Sequence, residues 1–179
     1  LVVGEAPGKD EDRSGEPFTG ASGWRFREAL SAAGVDAFRD CWLTNALICH
    51  PSDSIKPQMV EYCRPNLLRT VNELKPVSII LLGGRAVRSL IGDVWRENVG
   101  ELTKWTGWNI PSQKMNAWVC PTYHPTHLLE EGNRVLELYF RRHIKAAFSH
   151  ETPPWEKIPD WESSVEVLLD TDKAASILN

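Results

Sequence analysis

The chain opens on Leu1-Val2-Val3, a short β-branched run that ends at Gly4 and passes straight into a loop. The loop holds Gly8, Gly15 and Gly20, three acids at positions 10 to 12, and Pro17-Phe18. A buried strand that feeds a glycine-rich loop and then a helix is how open α/β sheets build sites at the carboxyl ends of their strands. The loop has no GxGxxG pattern and no phosphate-loop Lys-Ser/Thr, so an ordinary nucleotide-binding domain is disfavoured. The rest of the chain must therefore repeat the strand–helix unit and close the site from other strand ends.

The repeat is legible. An amphipathic helix is expected over 24–33, with Trp24, Phe26, Leu30 and Ala33 as its apolar positions and Gly34 as its stop. Cys41-Trp42-Leu43-Thr44-Asn45 reads as a second strand, with 46–54 as the loop at its carboxyl end. Pro57 and Pro65 each suit a first helical position, so 57–74 is expected as two helical pieces. Val77 to Leu82 (VSIILL) is a continuous apolar run before Gly83-Gly84, the pattern of a parallel strand covered on both faces. A short helix is expected over 85–91. Positions 92–116 carry Trp95, Trp105 and Trp108 without a clear period and read as an irregular excursion. A fourth strand over 117–121 delivers Thr122-Tyr123-His124-Pro125, and a helix over 134–148 has Leu136, Phe140, Ile144 and Phe148 at four-residue steps. Strands near 1, 41, 77 and 117 alternating with helices imply a three-layer α/β/α sandwich with a four-stranded parallel sheet.

At 179 residues the chain accommodates one core domain, placed at 1–150. Residues 151–179, with Thr152-Pro153-Pro154-Trp155 and Ile158-Pro159, read as an acidic linker or the truncated start of another element, 165–169 and 174–179 being its helix-like parts. The net charge of −4 argues against a nucleic-acid binder until it is divided. Residues 151–179 carry −5 and residues 1–150 carry +1, so the core can meet phosphates through a local patch. No apolar run approaches the ~18 residues of a membrane span, and nothing resembles a signal peptide. Four cysteines without secretory context point to an intracellular, cytoplasmic protein.

Three of the four expected strands end in polar residues that would converge on one crevice: Glu5, Asn45 and His124. Taken singly, Asn45 suits a strand-end turn and His124 a surface position. Glu11 or Asp12 suits the cap of a following turn. Their joint order at successive strand ends is what singles them out.

Gly4-Glu5-Ala6-Pro7-Gly8, then Glu11-Asp12, Gly15, Pro17-Phe18 and Gly20, resembles the first motif of the uracil-DNA glycosylase superfamily in its iron–sulfur branch, family 4. Thr44-Asn45 resembles the family's Thr-Asn at the second strand, and Tyr123-His124-Pro125-Thr126 its Tyr-His-Pro-Ser. The resemblance implies that Glu5, Ala6 and Pro7 line the uracil pocket and that Phe18 stacks on the base. It further implies that the Asn45 amide reads the uracil edge and that His124 faces the uracil O2 oxygen. Glu5 is the candidate to hold or orient water, so His124 and Glu5 form the expected catalytic pair. Residue types agree with these roles. A base must leave the duplex before its sugar bond is cut, and stacking offsets part of that cost. A carboxamide donates and accepts together, as the uracil edge requires and the cytosine edge does not.

His127-Leu128-Leu129 resembles the family's intercalating loop, with Leu128 or Leu129 as the apolar wedge. The family usually continues with a basic residue, whereas Glu130-Glu131 stand here. Cys49 and Cys63 resemble two of the four thiolate ligands of the family's [4Fe–4S] cluster. The family's other two form a close pair ahead of the first strand, where this chain begins, and Cys41 and Cys120 lie on strands. The chain thus holds half a cluster site. Either a preceding segment, the favoured expectation, supplies the rest, or the cluster is lost. Ala6, and Asp53-Ser54-Ile55-Lys56 after Cys49, disfavour the related branch that bonds covalently to DNA.

The implied activity is hydrolysis of the N-glycosidic bond of uracil in single- or double-stranded DNA, leaving an abasic site for base excision repair, with no metal in the chemical step. The protein is expected to be a monomer without membrane association, reaching a polymerase or second domain through its tail. Two alternatives stay open: a non-catalytic nucleic-acid- or polymerase-binding module of the same fold, and a glycosylase for another damaged base.

Overall fold

A computed structural model describes residues 1–95 and 99–160, without the side chains of 129–131. The helix-like stretches expected at 165–169 and 174–179 lie outside the described residues. Five strands form one sheet in the order β2-β1-β3-β5-β4. They are β1 (Val2–Gly4), β2 (Leu43–Asn45), β3 (Ser78–Leu82), β4 (Ile110–Ser112) and β5 (Ala117–Thr122). Strands β2, β1, β3 and β5 run parallel, as expected. The fifth strand corrects the four-stranded expectation. β4 comes from the region read as irregular and pairs antiparallel with β5, Ile110 opposite Val119 and Ser112 opposite Ala117. Three residues with a central proline give no alternation to read, and proline is tolerated there because the strand is an edge.

Alternation along the strands builds the layers. Val2, Ile80 and Leu82 point to one face, where they meet Phe26 and Leu30 of α2 (Ala21–Ala32) and Phe140 and Ile144 of α6 (Arg134–Ala147). Val3, Ile79 and Leu81 point to the other. There they meet Leu67 and Val71 of α3 (Pro57–Leu74) and Val87 and Leu90 of α4 (Gly84–Val94). Two short helices, α1 (Lys9–Ser14) and α5 (Pro125–Glu131), sit in the loops after β1 and β5.

Helix α3 is one helix of 18 residues rather than the two expected pieces, with Pro65 inside it. Proline removes a single intrahelical bond, and Pro65 and Glu61, whose carbonyl loses that partner, are both exposed to water. The described part of the tail lies along the β4–β5 hairpin. The Trp118 indole donates to the Thr152 carbonyl at 3.1 Å, and the Asn116 amide to that of Trp155 at 3.0 Å. Among the described residues no helix is long and apolar enough to cross a membrane.

Candidate active site

The carboxyl ends of the four parallel strands fall at Gly4, Asn45, Leu82 and Thr122. The connection from β1 leads outward to β2, while β3 lies on the opposite side of β1. The crevice beyond β1 and β3 is therefore the topological switch point, where open α/β sheets bind ligands. Glu5 leaves β1 into this crevice and Gly83 leaves β3 into it.

Glu5 is held from the third strand's loop. The Arg85 backbone N–H donates to its Oε1 at 3.1 Å, and the Arg85 guanidinium lies 3.6 Å from Oε2. The amino terminus of α4 thus faces a carboxylate, which its dipole favours. Gly83 has φ +94°, in the region that favours glycine. A side chain placed on it would collide with the Glu5 carboxylate and come within 3.0 Å of the His124 Cβ. Glu5 and His124 therefore flank one point above Gly83, as their places at strand ends require.

His124 is the N-cap of α5, its Nδ1 accepting the Thr126 backbone N–H at 3.2 Å. A backbone N–H can only donate, so Nδ1 is the acceptor. The neutral imidazole then carries its proton on Nε2, the nitrogen turned away from the cap. The same bond that starts the helix leaves a fixed N–H donor.

Asn45 and Phe18 meet over Gly4. Asn45 lies directly across from Gly4 in the β1–β2 pairing. A Cβ on Gly4 would collide with Asn45 Oδ1 and sit 2.9 Å from Phe18 Cζ. Among the described residues nothing pairs with the Asn45 carboxamide. It lines a cavity of about 290 Å³ with Pro7, Glu11, Pro17 and Thr44. Phe18 is 7% exposed, its ring 5.4 Å from that of Phe26, and its φ is +58°. A bulky residue in the left-handed region costs of order 1–3 kcal/mol and persists only where its surroundings enforce it. Gly23 of α2 leaves the room for it, since a Cβ there would overlap the Phe18 backbone.

The loop around the cavity is tied down by groups that no sequence motif marks. The Ala46 N–H donates to the Gly4 carbonyl at 2.8 Å and the Leu47 N–H to that of Glu5 at 3.0 Å. His50 Nδ1 donates to the Pro7 carbonyl at 2.8 Å. Glu11 accepts the Gly20 N–H at 2.8 Å, tying α1 to the start of α2 nine residues on rather than capping a turn of its own. Ala6 packs against the cluster of Ala46, Leu47 and Val60. Arg85 and Gly83 are equally silent in the sequence, because the third strand ends in glycines that advertise a turn rather than a function.

Of the expected wedge pair, Leu128 does not suit the role in this conformation. It is 6% exposed and packs in the cluster that holds Phe26 and Phe140. The Leu129 side chain lies outside the described residues. Cys49 is an exposed free thiol and Cys63 a half-buried one. Among the described residues no three metal-ligating side chains gather. Two thiolates are half of what a [4Fe–4S] cluster takes, so these residues alone do not fit the group.

The sequence profile of the uracil DNA glycosylase superfamily matches residues 1–148. A type-4 uracil-DNA glycosylase of Pyrobaculum aerophilum is 36% identical over 135 residues, covering 73% of this chain and 68% of that protein. One from Saccharolobus solfataricus is 33% identical over 156 residues, covering 83% and 71%. One from Thermotoga maritima is 29% identical over 155 residues, covering 83% and 76%. The chain belongs to the uracil DNA glycosylase superfamily.

Proposed function

We propose that this chain is a monofunctional uracil-DNA glycosylase, which hydrolyses the bond between uracil and deoxyribose in DNA and leaves an abasic site. The observation that carries the reading is the Asn45 carboxamide, without a partner among the described residues and beside the Phe18 ring over a glycine that leaves room for both. A flipped uracil stacks on Phe18 and offers Asn45 a carbonyl acceptor next to an N–H donor. Cytosine offers the reverse and leaves the Asn45 amide mismatched. Pro7 closes the edge of the pocket, and Ala6 beside it packs behind the loop against Ala46, Leu47 and Val60.

Bond cleavage builds positive charge on the sugar and negative charge on the departing base. His124 donates from Nε2 to the uracil O2 as that charge grows, without giving up its cap bond. Glu5, a fixed carboxylate beside His124, orients the water that adds to the sugar carbon and accepts its proton. Leu129 fills the gap in the base stack. Cys49 and Cys63 take no part in these steps.

The test is base release from a labelled single-stranded oligonucleotide carrying one uracil, scored by alkaline strand breakage, with wild type beside His124→Ala. Breakage that falls sharply in the variant supports the reading. DNA binding without any release by the folded wild type would reject it in favour of a non-catalytic module.

A further inference from the structure

A second cleft opens on the far side of β5 from Glu5, at the same edge of the sheet. Its volume is about 360 Å³, within the range of small-ligand sites, and it is lined by Thr106, Gly107, Trp108, Tyr139, Arg142 and His143. β4 runs antiparallel, so the loop leading into it reaches the carboxyl end of β5, and the Gly107 N–H donates to the Pro121 carbonyl at 2.9 Å. Tyr123, the neighbour of His124, has its ring 6.0 Å from that of His143 and 6.4 Å from that of His127. The cleft and the candidate active site are thus separated by one residue of backbone.

The floor of the cleft is built. His143 Nδ1 is hydrogen-bonded to Oγ1 of the buried Thr122 at 3.0 Å, and its Nε2 faces the Gly107 Cα. A Cβ on Gly107 would lie 2.6 Å from that nitrogen, and Gly107 has φ +84°, so the position both suits glycine and stays open because of it. The walls are two aromatic side chains left in water, Trp108 at 66% and Tyr139 at 50% exposure. Arg142 is exposed and has no acidic partner among the described residues, whereas Arg141 beside it is taken by Glu137 and Glu28. Two exposed aromatic rings and an unneutralised guanidinium next to a strand-end site match one ligand chemistry: a stacked base with its phosphate.

We propose that this cleft is a nucleotide subsite, in which a base flanking the uracil stacks on Trp108 and Tyr139 while its phosphate meets Arg142. The proposal rests on the reading of the chain as a DNA-acting enzyme but not on catalysis. The subsite measures off the strand from His124 and so gives the enzyme a grip on single-stranded DNA that an acidic net charge alone would not supply.

The test compares wild type with Trp108→Ala, Trp108→Phe and Arg142→Gln, all exposed positions. One arm measures the affinity of a labelled, uracil-free single-stranded 15-mer across a salt series. Trp108→Ala is expected to bind about 10-fold more weakly, with Trp108→Phe recovering most of the loss. Arg142→Gln is expected to lower the slope of log K against log salt by about 0.7, one single-strand phosphate contact. The other arm measures kcat/KM on a uracil 15-mer and on the same 15-mer with abasic spacers in place of the bases flanking the uracil. The advantage of the fully based substrate is expected to shrink about 10-fold in Trp108→Ala, and kcat/KM on both substrates is expected to fall in Arg142→Gln. Wild-type affinity and salt slope in all variants would overturn the subsite while leaving a uracil-releasing wild type intact. A wild type that binds DNA through these residues but releases no uracil would keep the subsite and reject the glycosylase. A wild type that binds no DNA would reject both.

Discussion

The Arg85 backbone N–H and guanidinium both reach the carboxylate of Glu5, the first at 3.1 Å and the second at 3.6 Å. The main-chain bond is part of the α4 terminus and survives any side-chain change. The guanidinium is half exposed, and such ion pairs contribute about 0–1 kcal/mol. Arg85→Ala is therefore expected to alter kcat by less than about 5-fold, within that range. Glu5→Gln is expected to lower it about 100-fold or more, as loss of a positioned base does. Single-turnover uracil release measures both, and equal losses would move the function of Glu5 to Arg85.

His124 caps a helix and offers a donor, and the two roles separate by substitution. Asparagine is a good N-cap and alanine a poor one, a difference of about 1 kcal/mol. His124→Asn is expected to keep the thermal midpoint near that of wild type, and His124→Ala to lower it by about 2–4 °C. Both are expected to lose about 10²–10³ in rate, the cost of one oxyanion donor. A His124→Asn enzyme with undiminished kcat would remove Nε2 from the reaction.

Selectivity is expected to follow Asn45. Asn45→Asp replaces the amide N–H₂ with a second acceptor and should reduce the preference for uracil over cytosine, read by paired oligonucleotides in one reaction. Unchanged discrimination would take Asn45 out of base reading.

Gly4→Ala tests the same pocket without touching a polar group. The backbone there is an ordinary strand, and the nearest atoms the added methyl meets belong to Asn45 (Oδ1) and Phe18 (Cζ and Cε1). kcat/KM is expected to fall about 10-fold or more, with a stability loss of about 1–3 kcal/mol from overpacking. Wild-type activity would show that neither side chain needs its present position.

His143 gives a pH prediction. Burial, and then the nearby Arg142 charge, hold its imidazole below the ordinary 6.5. The unfolded chain therefore takes up a proton at a higher pH than the folded one. Stability is full above about 6.5 and falls as the pH drops through that value towards the lower folded one. Thermal midpoints from pH 8 to pH 5 are expected to decline less steeply in His143→Gln, and identical slopes would refute the linkage.

Much of this arrangement can be read from residues alone, and the exceptions share a cause. The strand-end positions of Glu5, Asn45 and His124 are legible because parallel strands announce themselves by apolar runs and share one carboxyl edge. β4 is not legible, because Ile110-Pro111-Ser112 is too short to show a period and draws its stability from β5. Pro65 suggests a break that water at an exposed helix face makes unnecessary. Arg85 and His50 find their partners far along the sequence, the Glu5 carboxylate and the Pro7 carbonyl, 80 and 43 residues away. No local pattern encodes such a partner. Leu128 looks like a free apolar tip because its core partners lie on α2 and α6.

The stitching of the pocket has a kinetic meaning. The Ala46, Leu47 and His50 bonds join the second-strand loop to Gly4, Glu5 and Pro7 before any DNA arrives. The conformational entropy of these loops is surrendered during folding and not at each encounter, which is the condition for a rigid receptor. A receptor of that kind is expected to hold the base after the sugar bond has broken as well as before it. Free uracil is then expected to compete with DNA for the site.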